Sequence, residues 1–295
     1  MTAVALITLN AADEAAFVAA LGDIYEHAPW VAQAAFVRRP FRSVAALHEA
    51  MMAAVNAATP DQRHALINGH PDLAGRAARA GSMTRDSTAE QASAGLDRLS
   101  EKEFARFHDL NNAYRQKFDM PFIICVRRHG KESILHQFEH RLQNTPASEF
   151  NAALTEIFRI AALRLDQRIE ATDRLAVHGH LSTHVLDTHR GGPAQGVAIE
   201  LLELSKDGEP RGIVSALTNR DGRTDTPLIG GRPLPIGRYE LRFHIADYFG
   251  RLDVRQSDPP FLDIVPLQFA IAEPEGHYHV PLLVTPWSYS TYRGS

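Results

Sequence analysis

Residues 160–187 read IAALRLDQRIEATDRLAVHGHLSTHVLD, and within them a helical pattern gives way to a β pattern. Upstream, Phe150, Leu154, Ile157, Ala161, Leu165 and Ile169 recur three to four apart, which lays one apolar stripe along a helix. Arg164 shares that stripe, seven residues after Ile157, and a guanidinium is rarely left inside without an anion to hold. Downstream, Leu181–Asp187 alternates and carries the β-branched Thr183 and Val185 ahead of the turn Gly191-Gly192-Pro193. That alternation throws His184 onto the face opposite Thr183 and Val185. Residues 170–178 are left as a short tether, so 1–172 and 178–295 are expected as two domains.

The rest of the chain agrees with that division. Only 6 of the 19 Gly and 6 of the 17 Pro precede residue 174. A turn-poor first part and a turn-rich second part predict an all-α domain followed by an all-β sandwich. The net charge of −4 comes from 31 basic and 35 acidic residues that are well mixed, so neither nucleic acid nor an anionic membrane is an expected partner. A small anionic ligand stays open. The one cysteine, Cys125, sits in the apolar run Pro121–Val126 and reads as a packed thiol. No apolar run approaches the roughly 20 residues that span a bilayer. A soluble, cytoplasmic protein is expected.

Along the first half, Asn10 or its neighbours are expected to cap a helix over 11–21. Further helices are expected over 28–36, 41–57, 60–67, 101–118, 131–142 and 147–169. His70-Pro71 follows the end of one of them at Asn68-Gly69. A residue before proline is biased away from the helical region, so His70 is held in an extended turn, where imidazole can move protons near neutral pH. A surface histidine is the plain alternative. Ser87-Thr88-Ala89-Glu90-Gln91 has the Ser-x-x-Glu spacing of a capping box. A helix start also offers amides and a positive dipole end to an anion, so the segment can be both cap and cradle. Phe122-Ile123-Ile124-Cys125-Val126 is a short extended segment whose backbone groups need partners or a ligand.

These motifs together, His70-Pro-Asp-Leu-Ala-Gly75, Glu90-Gln-Ala-Ser-Ala-Gly-Leu-Asp97, Leu110-Asn111, Pro121–Arg127 and the late helical Arg164, resemble the 2-oxo-4-hydroxy-4-carboxy-5-ureidoimidazoline (OHCU) decarboxylases over residues 8–170. The resemblance implies an all-helical fold, no cofactor, and formation of (S)-allantoin. It implies His70 as catalytic acid/base with Glu90 as its carboxylate partner. It also implies substrate contacts from Pro71, Ser87, Thr88, Ala89, Gln91, the backbone of Phe122, Ile123, Ile124, Cys125 and Val126, and Arg164.

In the second half, strands are expected over 181–187, 195–204, 213–218, 237–246, 261–269 and 278–285, with hairpin-type turns at Lys206-Asp207-Gly208 and Arg220-Asp221-Gly222. Arg223, just past the second turn, reads plainly as a solvated arginine. Histidines gather at the two ends of this half. His178, His180 and His184 share one parity, and His277 and His279 share another. Strand geometry spreads same-face ligands by about 6–7 Å per step, so no metal is expected.

Leu181-Ser-Thr-His184-Val-Leu-Asp187, Asp221-Gly222-Arg223, Tyr278-His279-Val-Pro-Leu-Leu283 and the tail Tyr292-Arg-Gly-Ser295 resemble 5-hydroxyisourate (HIU) hydrolases, the transthyretin-related enzymes, over 178–295. The resemblance implies catalytic roles for His184, Arg223 and His279, substrate contacts from Tyr292 and Ser295, and a homotetramer formed through this domain. Which histidine is the base stays open. The two halves resemble consecutive steps, which implies a bifunctional enzyme taking HIU through OHCU to (S)-allantoin. The alternative is a decarboxylase that carries a transthyretin-like tetramerisation or ligand-carrier domain.

Overall fold

The computed structural model describes residues 3–75, 83–205 and 210–294. The expected turn at Lys206-Asp207-Gly208 and the candidate Ser295 lie outside the described residues. The chain folds as two compact units, Met1–Arg127 with Ser133–Val177, and Arg128–Glu132 with His178–Ser295.

Between Leu6 and Arg168 the described residues form the helices α1 (Leu6–Ala11), α2 (Glu14–Leu21), α3 (Pro29–Phe36), α4 (Val44–Ala57), α5 (Pro60–Asn68), α6 (Arg85–Ser93), α7 (Glu101–Phe118), α8 (Lys131–Arg141) and α9 (Pro146–Arg168). Local sequence explains most of the starts. Ser43 accepts from the Ala46 N–H, and Thr59/Gln62 and Ser100/Glu103 form capping boxes, each of which satisfies amides that lack a helical partner. The expected single helix over 11–21 is two helices, because Asp13 caps α2 by accepting from Ala16 N. Asn10 is not the cap. Its side-chain amide instead exchanges two 2.8 Å hydrogen bonds with the backbone of Phe41. Of the stripe seen in the sequence, Leu154, Ile157, Ala161 and Leu165 are buried in the core on α9, Phe150 packs against it partly buried, and Ile169 is buried just past the helix. An aromatic cluster of Tyr114, Phe122 and Phe138 packs beside it, Tyr114 meeting both phenylalanine rings edge-on; pairs of this kind add about 0.5–1.5 kcal/mol each beyond burial.

The expected tether is partly tied down. β1 (Val4–Ala5) pairs in parallel with β2 (Ile169–Glu170), Asp173 accepts from Val44 N, and Arg174 pairs with the buried Asp166.

The second unit has a four-stranded antiparallel sheet in the order β10 (Ile264–Ile271), β9 (Gly237–His244), β6 (Ala198–Leu204), β7 (Arg211–Leu217). Its inner side chains, among them Ile199, Leu201, Leu241, Phe243 and Val265, share one core with Leu181, Val185, Leu282 and Val284 of a second layer. That layer is two short sheets in series: β11 (His277–His279), β3 (Gly179–Ser182), β8 (Ile229–Arg232), then β13 (Tyr289–Thr291), β12 (Leu282–Val284), β4 (Val185–Asp187), β5 (Gly192–Pro193). The expected strand over 181–187 is interrupted at Thr183-His184, where the Thr183 hydroxyl donates to Val280 O between β11 and β12. Bonding carries across the break, with Val280 N donating to Ser182 O and Leu282 N to His184 O. One expectation fails outright. Ile245–Arg251 is a helix, α10, where a strand was expected to continue to Ala246. Its Ile245, Tyr248 and Phe249 are buried at helical spacing, and Tyr248 donates to the buried Asp187.

Candidate active sites

In the helical unit His70, Pro71, Leu73, Ser87, Glu90, Gln91, Phe122, Ile123, Ile124, Val126, Ile160 and Arg164 line one cavity of about 30 Å³. His70 sits just past α5, and its Nδ1 is 3.0 Å from Leu66 O. A carbonyl only accepts, so Nδ1 carries the proton and Nε2 keeps its lone pair. Burial pushes the imidazole pKa down to about 4; the charge of Glu26 and the Leu66 carbonyl oppose that, and Arg164 and His27 add to it. His70 is therefore a neutral, buried base at physiological pH.

The loop after His70 is held from three sides. Gln91 Oε1 accepts from Ala74 N, in the left-handed region at φ 51°, while Gln91 Nε2 donates to Asp72 O. Asn111 Nδ2 donates to Leu73 O, and Arg115 pairs with Asp72. Gln91 thus lines the cavity with its amide already engaged on the loop.

The Ser87-x-x-Glu90 motif is not a capping box. Thr84 is the cap of α6, and both Ser87 and Glu90 lie inside the helix, one turn apart on its buried face. Thr88 and Ala89, expected as contacts, fall on the exposed side of the helix and are not among the residues lining the cavity. Glu90 is also not seen on His70. Arg164 grips it with two 2.9 Å bonds, Nε to Oε1 and Nη2 to Oε2. The acid whose charge bears on His70 is Glu26, a residue the motifs did not mark. Glu26 accepts from Thr84 Oγ1 at 2.6 Å, Ser87 Oγ at 3.1 Å and Arg164 Nη1 at 3.0 Å. Burial would raise its pKa, but the Thr84 hydroxyl, Arg164 and His70 outweigh that and hold it low. For Arg164 burial works downward, and the Glu90 and Glu26 carboxylates reverse it and raise the pKa. The sequence does hold a signal for Glu26: a carboxylate in the apolar run Ile24-Tyr25-Glu26-His27-Ala28, just before Pro29 opens a helix.

The segment 122–126 presents its neighbours to the cavity, with its backbone fixed from behind. Arg141 Nη1 donates to Ile123 O, and Cys125 N donates to Glu156 Oε2. The Cys125 side chain is buried, as a packed thiol, and is not among the residues lining the cavity.

In the β unit, His180, Ser182, Thr183, Arg223, His277 and His279 are among the residues lining an open pocket. His184 and Arg223 are joined as a β-bridge, so the break between β3 and β4 sets both at one place. Gly222 permits this close approach: its φ is +70°, and a Cβ there would lie 2.3 Å from Val185 O. His279 Nδ1 is 3.0 Å from Ser182 Oγ. Burial lowers the His184 pKa, and Arg223 lowers it further. Burial also lowers that of His279, with further contributions from Arg223, His184, His277 and His180. The three expected catalytic groups are thus neighbours within one chain. Gly294 bridges to His279 and packs so tightly that a Cβ would lie 2.6 Å from the imidazole Cδ2. Tyr292 is exposed and does not line this pocket. Register pairs His180 with His277, rings 4.7 Å apart, yet no group of three or more His, Cys, Asp or Glu that could hold a metal ion occurs among the described residues.

Comparison with known proteins follows the same division. The OHCU decarboxylase family model matches residues 10–166, and the HIUase/Transthyretin family model matches 181–294. A 5-hydroxyisourate hydrolase of Deinococcus radiodurans is 56% identical over 118 residues, 40% of this chain and 98% of the relative. An OHCU decarboxylase of Halalkalicoccus jeotgali is 41% identical over 167 residues, 57% of this chain and 93% of the relative. A crystal structure of (S)-allantoin synthase aligns over 99% of this chain and 100% of its own length, with 37% identity and a TM-score of 0.50. The chain belongs to the OHCU decarboxylase family in its helical unit and to the HIUase/transthyretin family in its β unit.

Proposed function

We propose that this chain is a bifunctional enzyme of urate degradation: its β unit hydrolyses HIU to OHCU, and its helical unit decarboxylates OHCU to (S)-allantoin. The observation that carries the reading is one cavity lined by a neutral buried His70, the Arg164–Glu90 pair, Ser87 and residues of the 122–126 segment.

In OHCU the carbon that loses CO2 adjoins a ring C=N. The breaking C–C bond can therefore deliver its electron pair into the substrate itself, and no cofactor is required. Because CO2 leaves neutral from a carboxylate, one proton must be taken up and given to one face of the ring. His70 Nε2, with its lone pair toward the cavity, relays that proton as acid/base. Arg164 and Glu90 orient the ureide, and the rigid 122–126 backbone fixes its plane.

HIU hydrolysis adds water to a ring carbonyl; the C–N bond breaks and the nitrogen takes the proton. His184 or His279, both kept neutral, takes the water's proton, and Arg223 faces the developing oxyanion. The enzyme acts on small ureides, is assembled as a homotetramer through the β unit, and works in the cytoplasm. Among the described residues no helix is long and apolar enough to cross a membrane. The test is direct: supply HIU to the purified chain, follow its consumption, then follow the circular dichroism of allantoin. Rapid consumption with optically active product is expected; consumption that yields only racemate would refute the second activity.

A further inference from the structure

We infer that Glu26 is a positioning residue of the decarboxylation site, its carboxylate fixing the Arg164 guanidinium and the Ser87 hydroxyl and supplying the negative charge that faces His70. The inference rests on the reading of this cavity as the decarboxylation centre. Glu26 does not line the cavity, so it acts only through residues that do.

Its geometry is that of a clamp. One oxygen accepts from Thr84 and Ser87 at the start of α6, and the other accepts from Arg164 on α9. The side chain of Glu26 is 2% exposed and that of Arg164 is 4% exposed, so the contact is shielded from solvent. With Nε and Nη2 on Glu90 and Nη1 on Glu26, the guanidinium fork has both edges occupied and a single orientation. Removing Glu26 would free one edge and let Arg164 and Ser87 turn. Around His70, the facing groups are Glu26 and His27 from the segment between α2 and α3, Arg164 from α9, and the Leu66 carbonyl from α5. Of the side-chain charges that bear on His70, that of Glu26 favours the protonated imidazole, and those of Arg164 and His27 oppose it; Glu90, also in the cavity lining, is bound on both oxygens by Arg164. Without Glu26 the Nε2 lone pair becomes less basic and relays a proton less well.

The test uses the full chain with Glu26→Gln and Glu26→Asp. The amide can still accept from Thr84 and Ser87 but has no charge. For Glu26→Gln, kcat for OHCU decarboxylation should fall roughly 10- to 100-fold with KM held within about threefold, the pattern of lost positioning. The acid limb of kcat should also move to lower pH, HIU hydrolysis should stay unchanged, and Glu26→Asp should recover part of kcat. A purely structural role would lower the melting temperature and the yield of active enzyme while leaving the acid limb in place, and that result overturns the inference. So does a kcat within about twofold of wild type. Should Glu26→Gln fail to fold, Glu26→Asp, which keeps the charge but shortens the reach to Arg164 and Ser87, decides by kinetics: a kcat for decarboxylation within about twofold of wild type sinks the inference, and a kcat lowered beyond that with KM held upholds it. His70→Asn is made in parallel. Full decarboxylation by that variant would overturn the reading of the cavity itself, whereas its loss beside an unaffected Glu26→Gln would overturn only the role of Glu26.

Discussion

Replacing Arg164 by methionine tests the electrostatics of the helical site most severely. The methionine fills most of the volume but leaves Glu26 and Glu90 without their shared cation; their side chains are 2% and 11% exposed. Breaking a buried ion pair from one side costs about 3–5 kcal/mol at pH 7, because the stranded charge has neither water nor a partner. With a urea slope of about 2 kcal/mol/M, the midpoint should drop by roughly 2 M. Equilibrium unfolding of the full chain, followed by the helical far-ultraviolet signal, reads this out, since nearly all helix is in the first unit. The pH dependence carries the discriminating sign. In the wild type the Glu26 pKa is lowered, so its stabilisation is present above the unfolded carboxylate pKa and fades as pH falls through the folded value. In the variant Glu26 keeps its burial and loses the guanidinium, so it takes up a proton more readily, and protonation relieves the folded state as pH falls. The gap between the two proteins should therefore narrow between pH 7 and pH 5. A deficit of about 1 kcal/mol that is the same at both pH values would refute the reasoning, because that is the size of an exposed pair.

Three further outcomes are expected. His70 has its pKa held down to about 4 by burial, so the unfolded chain binds the extra proton between about pH 6.5 and 4 and stability falls across that window as pH is lowered; His70→Asn should flatten that part of the pH–stability curve, and an unchanged slope would count against a buried neutral imidazole. Gly294→Ala, which puts a Cβ 2.6 Å from the His279 ring, should cut HIU hydrolysis by on the order of 100-fold through a displaced imidazole, with urea stability changed by less than about 1 kcal/mol; normal hydrolysis would show that the tail does not set His279. Tethering raises the local concentration of a labile intermediate near the second site, so the fused chain should give a smaller racemic fraction of allantoin than its two halves mixed as separate chains, and equal fractions would argue against delivery.

Much of this was legible in the sequence where short-range rules apply. The apolar stripe of α9 fixed Arg164 as a buried cation, and the residues flanking Pro71 held His70 in a turn. What escaped was the partner of each. Arg164 and Glu26 are 138 residues apart, and no periodicity links an acid in the loop before α3 to a cation on α9. Ser87-x-x-Glu90 has a true capping-box spacing, yet Thr84, three residues earlier, takes the cap, and the same two side chains turn inward to Glu26 and Arg164. Four-residue patterns cannot choose between those outcomes. In the β unit the alternation of Leu181–Asp187 was visible, but the break at which His184 meets Arg223 goes with a bond from the Thr183 hydroxyl to Val280 O, 97 residues away, a non-local contact. The helix α10 was missed even though Ile245, Tyr248 and Phe249 have helical spacing, because seven residues are too short for a periodic signal to outweigh the strand before them.

The central claim is that each unit holds its own active site. The most direct measurement supplies HIU to His70→Asn and follows both steps in one cuvette. HIU should disappear at the wild-type rate while the optical activity of (S)-allantoin fails to develop beyond uncatalysed, racemic formation. Wild-type development of that signal would contradict the account.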